Sequence, residues 1–219
     1  MKTLGVLGGM GPAATVDFLA KLQAATPAGR DQDHIHTLVD LNPQVPDRNV
    51  DAHAAEAELA RMAAGLRDAG AEVLAMPCNT AHAHAAAIEA ASGLKLIDLI
   101  EVACAAAAAT GARRIGLIGT GAAVDLYAAQ LEVMGLTPLR LGEAGGRRFM
   151  ENLYRIKAGD LGPGVSDSMA ALAEDLIAAG AGAVIAACTE LPLVLKTASA
   201  PLIDATQALA EACVTACCD

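Results

Sequence analysis

Aromatic residues are nearly absent: two Tyr, two Phe and no Trp amount to 2% of 219 residues. A core must therefore be filled by Ala, Val, Leu and Ile, and a hydrophobic content of 54% is ample for that. No run approaches the ~20 apolar residues that a bilayer crossing needs. The opening Met1-Lys2-Thr3-Leu4-Gly5 reads straight into a strand and a glycine loop, without the layout of a signal peptide. The expectation is a soluble cytoplasmic protein with no membrane partner. Basic charge is scarce as well. Lys and Arg total 15 against 25 Asp and Glu, a formal net charge of −10. That sign disfavours nucleic acid, whose binding needs a basic face. An anionic substrate would have to be held by a few placed cations.

What the chain does have is a repeat. Ala-Gly-Ala, an apolar run, then a cysteine and a small polar residue occur at 69–80 and again at 179–190, placing Cys78 and Cys188 110 positions apart. Leu4-Gly5-Val6-Leu7-Gly8-Gly9 is echoed by Ile115-Gly116-Leu117-Ile118-Gly119-Thr120 at an offset of 111, and Leu96-Ile97-Asp98 by Leu202-Ile203-Asp204 at 106. Any two βαβ units share buried strands and glycine turns; they need not share a cysteine. Duplication of one α/β unit accounts for both.

Short apolar strands alternate with amphipathic helices, the pattern of a parallel sheet covered on both faces. Strands are expected near 3–8, 35–41, 72–77, 94–98, 114–119, 137–141, 182–187 and 201–204. Helices are expected over 12–25, 51–69, 80–92, 100–110, 122–134, 147–158, 166–179 and 205–217. The fold class is α/β, with two pseudo-symmetric Rossmann-like or flavodoxin-like lobes over roughly 1–100 and 101–204, parallel sheets, and an interlobe active-site cleft. The terminal helix within 205–219 is expected to pack on the first lobe. Ligands of open α/β sheets bind beyond the strand carboxyl ends, where Cys78 and Cys188 both fall. A helix start after each cysteine would favour the thiolate.

Other motifs are weaker. Gly8-Gly9-Met10-Gly11-Pro12 opens a helix but is neither Gly-x-Gly-x-x-Gly nor a P-loop. It fits a small carboxylate better than a dinucleotide, and taken alone it reads equally as a turn. Cys104 reads as a small buried hydrophobe, and six cysteines in such a chain read as thiols rather than disulfides. Cys213 and Cys217 share a helix face without a nearby His, and Cys218 follows. His82 and His84 after Cys78 raise a zinc alternative, although no fourth ligand is evident; a His82 that stabilises its helix is the plainer reading.

Four segments together carry a resemblance: Gly-Gly-Met-Gly-Pro-Ala-Ala-Thr at 8–15, Asn-Pro-Gln-Val-Pro-Asp-Arg at 42–48, Cys-Asn-Thr-Ala-His at 78–82 and Cys-Thr-Glu-Leu at 188–191. In this order they resemble the aspartate/glutamate racemase family, most of all its aspartate racemase branch. The resemblance implies a racemase that needs no pyridoxal phosphate, other cofactor or metal, acts on a small anionic amino acid, and is often a homodimer. It implies Cys78 and Cys188 as the catalytic acid/base pair. Asn79, Thr80, Thr120 and Thr189 would hold the amino-acid backbone, and Met10 would line the pocket. Arg48 and Lys157 match the branch's carboxylate clamps, with Arg155 a competitor two residues from Lys157. Glu190 stands where the glutamate branch has His, which favours aspartate. A glutamate or broad-specificity racemase, and a non-enzymatic anion-binding module, stay open beside it.

Overall fold

The computed structural model describes residues 1–47 and 50–218. The chain divides into two compact units, Met1–Leu99 with Thr206–Asp219, and Ile100–Ala205.

In the first unit four strands, β1 (Leu4–Gly8), β2 (Thr37–Leu41), β3 (Val73–Ala75) and β4 (Leu96–Ile97), form a parallel sheet in the order β2-β1-β3-β4. Helices α1 (Pro12–Ala25), α2 (Ala52–Asp68) and α3 (Ala85–Ser92) accompany it. In the second unit β5 (Arg114–Gly119), β6 (Thr137–Arg140), β7 (Ala183–Ala187) and β8 (Leu202–Asp204) repeat that order as β6-β5-β7-β8, again all parallel. Its helices are α4 (Leu99–Ala109), α5 (Gly121–Val133), α6 (Glu143–Lys157) and α7 (Pro163–Ala178). The last helix, α8 (Ala205–Cys218), returns to the first unit, where Cys217 accepts a hydrogen bond from the Lys2 amide at 2.8 Å.

The duplication extends to register. Leu4 pairs with Val73 and Gly5 with Leu74; at the expected offsets Ile115 pairs with Ala183 and Gly116 with Val184. Leu74 opposite Leu96 has its counterpart in Val184 opposite Leu202. Even a packing device recurs. A Cβ on Gly5 would lie 3.3 Å from Leu66 Cβ of α2, and one on Gly116 would lie 3.1 Å from Leu176 Cβ of α7. Glycine in each central strand lets the same helix of each unit approach closely.

Each unit has its own core, and each core contains its cysteine. Leu59, Met62, Leu66, Leu74, Met76 and Cys78 belong to the first, and Phe149, Leu153, Met169, Leu172, Val184 and Cys188 to the second. Helix α2 shows how sequence produces this. Asp51 caps it by accepting from the Ala54 amide at 3.0 Å, and Ala55, Leu59, Met62 and Leu66 then fall on one buried stripe.

Some boundaries differ from expectation. Helix α6 starts at Glu143 rather than 147, running through Gly145 and Gly146. A Cβ on Gly145 would meet Leu141 Cβ at 3.3 Å, so the glycine is used for close packing and does not break the helix. Helix α7 starts three residues early because Pro163 suits a first helical position. The stretch 80–92 is a 3-10 helix, Thr80–His84, followed by α3. No helix among the described residues is long and apolar enough to cross a membrane.

Candidate active site

Strand β3 is short because Pro77 cannot donate to a ladder. The chain turns there, Cys78 N–H bonding back to Met76 O at 2.8 Å, and Cys78 sits buried at the strand's carboxyl end. Strand β7 runs on to Ala187, paired with Gly119, and delivers Cys188 at the equivalent point. All six cysteines are thiols.

Cys188 sits in a charged network. Its Sγ–H donates to Glu190 Oε2 at 3.2 Å, and Thr189 Oγ1 donates to the same oxygen at 3.3 Å. Glu190 is only 5% exposed, and its other oxygen, Oε1, is buried without a hydrogen bond. Lys157 Nζ, at the exposed end of α6, lies 3.9 Å from Oε1. A buried carboxylate oxygen left without a donor is costly, and calls for a strain, catalytic, water or ion explanation. Burial pushes the Cys188 thiol well above its ordinary value, Glu190's charge pushes it further, and Lys157 opposes this.

The thiolate expected from a helix start is therefore not what this end of the sheet favours. The reason is local: Cys188 is followed by a 3-10 turn of three residues, Leu191–Leu193, which is too short to present a helix dipole. Cys188 is held as the thiol. It follows that Glu190→Gln, which removes both the charge and the carboxylate acceptor, will move the pH dependence of Cys188 alkylation to lower pH. Mass-spectrometric labelling across pH 7–10 checks the direction.

In the first unit Cys78 belongs to the buried apolar cluster. Met10 is buried, 5% exposed, in the same apolar cluster as Cys78. Asn79 is buried beside it and Thr80 is half-buried at the start of the 3-10 helix. Asn79 occupies the cap position without a side-chain capping bond. Thr120 follows Gly119, the neighbour of Ala187 across the ladder, and caps α5 by accepting from the Ala123 amide at 3.4 Å. Arg48 lies outside the described residues. The structure thus brings Lys157, Cys188, Thr189 and Glu190 into one network within the second unit. Arg155, the competitor of Lys157, is taken by Asp160, with Nη2 at 2.8 Å and Nε at 3.1 Å from Oδ2.

The zinc alternative fails on donor geometry. His82 Nδ1 lies 2.9 Å from the Cys78 carbonyl and its Nε2 accepts from the Leu99 amide at 3.1 Å, so both ring nitrogens are used. His84 Nδ1 is 3.0 Å from Glu56 Oε2. Among the described residues no three His, Cys, Asp or Glu side chains gather as a metal set.

The glycine loop is held by two side-chain partnerships that the sequence does not show. Thr15 Oγ1 accepts from the Gly9 amide at 2.9 Å and donates to Gly11 O at 3.1 Å, so Thr15 ties the loop to its helix. Gly9 has φ +96°, and a Cβ there would lie 2.4 Å from the Asn42 backbone. Asn42 is in turn held by Glu58 Oε1 at 2.6 Å, and Glu58 by Arg61. Thr15 and Asn42 left a signal, since one closes the 8–15 motif and the other opens the 42–48 motif; Glu58 is too distant in sequence to be connected with Asn42.

Two parallel sheets of one strand order, with a buried cysteine at the carboxyl end of β3 and of β7, define a two-lobed α/β class with one such strand-end thiol in each lobe. The chain belongs to the Asp/Glu/Hydantoin racemase family, an isomerase family whose model matches residues 7–213. Among solved structures, the aspartate racemase of Picrophilus torridus is 26% identical, with a TM-score of 0.87 over 99% of this chain and 94% of that one. Glutamate racemase of Francisella tularensis, solved with D-glutamate, has a TM-score of 0.71 over 98% of this chain and 80% of its own. At 18% identity that second likeness speaks for the fold alone. A curated relative, the broad specificity amino-acid racemase RacX of Bacillus subtilis, is 30% identical over 104 residues, 45% of this chain and 46% of RacX. The matched part spans less than half of that relative's length.

Proposed function

We propose that this protein interconverts L- and D-aspartate without a cofactor, using Cys78 and Cys188 as a two-thiol acid/base pair. The observation that carries the reading is the Cys188 network. A thiol held protonated donates to a buried carboxylate whose free oxygen faces a lysine. Cys78 occupies the matching strand end of a duplicated sheet, which makes it the natural partner.

In this scheme the Cys78 thiolate removes the α-proton of one enantiomer while the Cys188 thiol delivers its own proton to the opposite face. The enzyme is left with Cys78 as thiol and Cys188 as thiolate, the form that acts on the other enantiomer. Glu190 disfavours the Cys188 thiolate, so Cys188 enters the cycle more readily as the acid than as the base. A thiolate is badly mismatched to a weakly acidic Cα–H, and positioned acid/base groups contribute roughly 10²–10⁴-fold. The remainder falls to cations and donors that stabilise charge developing on the substrate carboxylate. Lys157 is the candidate within the second unit and Arg48 the candidate from sequence.

Aspartate is favoured by Glu190, which the resemblance ties to the aspartate branch, and by the Picrophilus likeness. The partial match to RacX supports a second reading, a racemase of broader specificity. Purified protein incubated with L-aspartate, L-glutamate and a panel of neutral L-amino acids, without pyridoxal phosphate, separates the two by chiral chromatography. D-aspartate as the dominant product supports the proposal. Comparable rates on neutral amino acids would replace it with the broader reading, and no racemisation of any amino acid would reject both.

A further inference from the structure

The two cysteine turns are built differently, and the difference singles out His82. In the second unit the Cys188 carbonyl accepts from a backbone donor of its own turn, the Leu191 amide, at 3.0 Å. In the first unit the Cys78 carbonyl is met by a side chain, His82 Nδ1, at 2.9 Å. The ring's other nitrogen, Nε2, accepts from the Leu99 amide at 3.1 Å. An amide only donates, so Nε2 carries the lone pair and Nδ1 carries the proton; the neutral ring has one tautomer compatible with both bonds. Position 192, the counterpart of 82 at the repeat's offset of 110, is a proline, so the second unit has no equivalent of this ring.

The place of Leu99 gives the arrangement its consequence. It opens α4 and is the last residue of the first unit before the chain crosses into the second. A single buried ring, 6% exposed, therefore ties the strand end that carries one thiol to the first of the chain's two crossings. Burial pushes the imidazole below its ordinary value, against the hydrogen bond to Cys78 and the charge of Asp98, which keeps the ring neutral.

We infer that His82 is a positioning residue that fixes the Cys78 turn against Leu99 and so holds the Cys78 thiol in one orientation. It acts through backbone groups and does not touch the reacting atoms. The inference rests on the assignment of Cys78 to the acid/base pair.

Two substitutions test it. His82→Leu removes both hydrogen bonds. His82→Gln can restore them, because its amide nitrogen can donate to Cys78 O while its amide oxygen accepts from Leu99 N–H. His82→Leu is expected to lower kcat roughly 10- to 100-fold, the cost of a modest misplacement of a reacting group, with KM changed less than about twofold. It should also raise the primary deuterium isotope effect for only one enantiomer, the one whose α-proton goes to Cys78. His82→Gln should recover most of kcat. A role confined to packing would lower the melting temperature of both variants and leave kcat and the isotope effects untouched. That result, or equal loss in the Leu and Gln variants, overturns the inference.

Should His82→Leu fail to fold, the wild-type protein carries the test. Nitrogen-15 NMR is expected to show the Nδ1–H tautomer and slow exchange at the Leu99 amide, and an Nε2–H tautomer overturns the inference. Should the wild type racemise nothing, the acid/base reading fails separately. The ratio of iodoacetamide labelling at Cys78 to that at Cys188 still tests positioning. A several-fold change in His82→Leu that His82→Gln reverses supports it, and an unchanged ratio overturns it.

Discussion

Cys78→Ala and Cys188→Ala will each lower the rate of racemisation by at least about 10³-fold, within the range that one acid or base contributes to proton transfer. The effect is large because a two-sided reaction has no substitute for either group. The variants will differ in what they retain. With Cys188 gone, Cys78 can still remove the α-proton of the enantiomer it faces and return a solvent-derived one to the same face. That variant should exchange the α-proton of one enantiomer without inverting it, and Cys78→Ala should do so for the other. Proton NMR of each enantiomer in heavy water checks this, with melting curves to confirm folding. Both side chains are buried in their units' cores, and replacement by Ala shortens each by a single sulfur. Racemisation at the wild-type rate in either variant would remove that cysteine from the mechanism.

Lys157→Ala will lower kcat/KM for aspartate roughly 10- to 100-fold, whereas Arg155→Ala will leave it near the wild-type value. Hydrogen bonds to charged groups are worth about 1.5–3 kcal/mol, and 1.4 kcal/mol is a factor of ten. Lys157 reaches the Glu190 carboxylate beside the Cys188 thiol; Arg155 is spent on Asp160. The loss should fall mainly on KM if Lys157 binds the substrate carboxylate equally in ground and transition states. It should fall mainly on kcat if the contact strengthens as charge develops. Removing the lysine also removes the charge that opposes Glu190, so alkylation of Cys188 should shift to higher pH in Lys157→Ala, the reverse of the shift in Glu190→Gln. Equal effects of the two substitutions on kcat/KM would mean that the cation is placed by neither residue in particular.

How legible this molecule was depends on the kind of signal. Strands such as Leu4–Gly8 and Ala183–Ala187 are continuous apolar runs bounded by glycine, the form a strand takes when both its faces are buried. The repeat read from Cys78 and Cys188 predicts more than positions, because the pairing of Gly5 with Leu74 and of Gly116 with Val184 keeps the same register. Glycine signals itself in the sequence where it turns the chain and not where it packs, as at Gly145 in α6. A helix after Cys188 was expected from the position of the strand end, yet Pro192 and the loop beyond it leave only a short turn there.

Side-chain partnerships were less visible. Lys157 and Arg155 lie two residues apart on one helix, and periodicity alone does not decide which turns to the thiol. Asp160 decides it by capturing Arg155. Glu190 is legible as a residue shared with the aspartate branch, but its hydrogen bond to Cys188, and the upward push on that thiol, depend on burial that composition does not encode. His82 appeared in the Cys-Asn-Thr-Ala-His motif beside a zinc alternative, and only its two bonds show that the ring is committed elsewhere.

The central claim, that two thiols work on opposite faces of one carbon, is tested most directly by racemisation of each aspartate enantiomer in heavy water. Early in the reaction the product should carry deuterium at Cα while the remaining substrate stays almost unlabelled, whichever enantiomer is supplied. Rapid appearance of deuterium in the remaining substrate, from both enantiomers, would mean that one base serves both faces and would contradict the account.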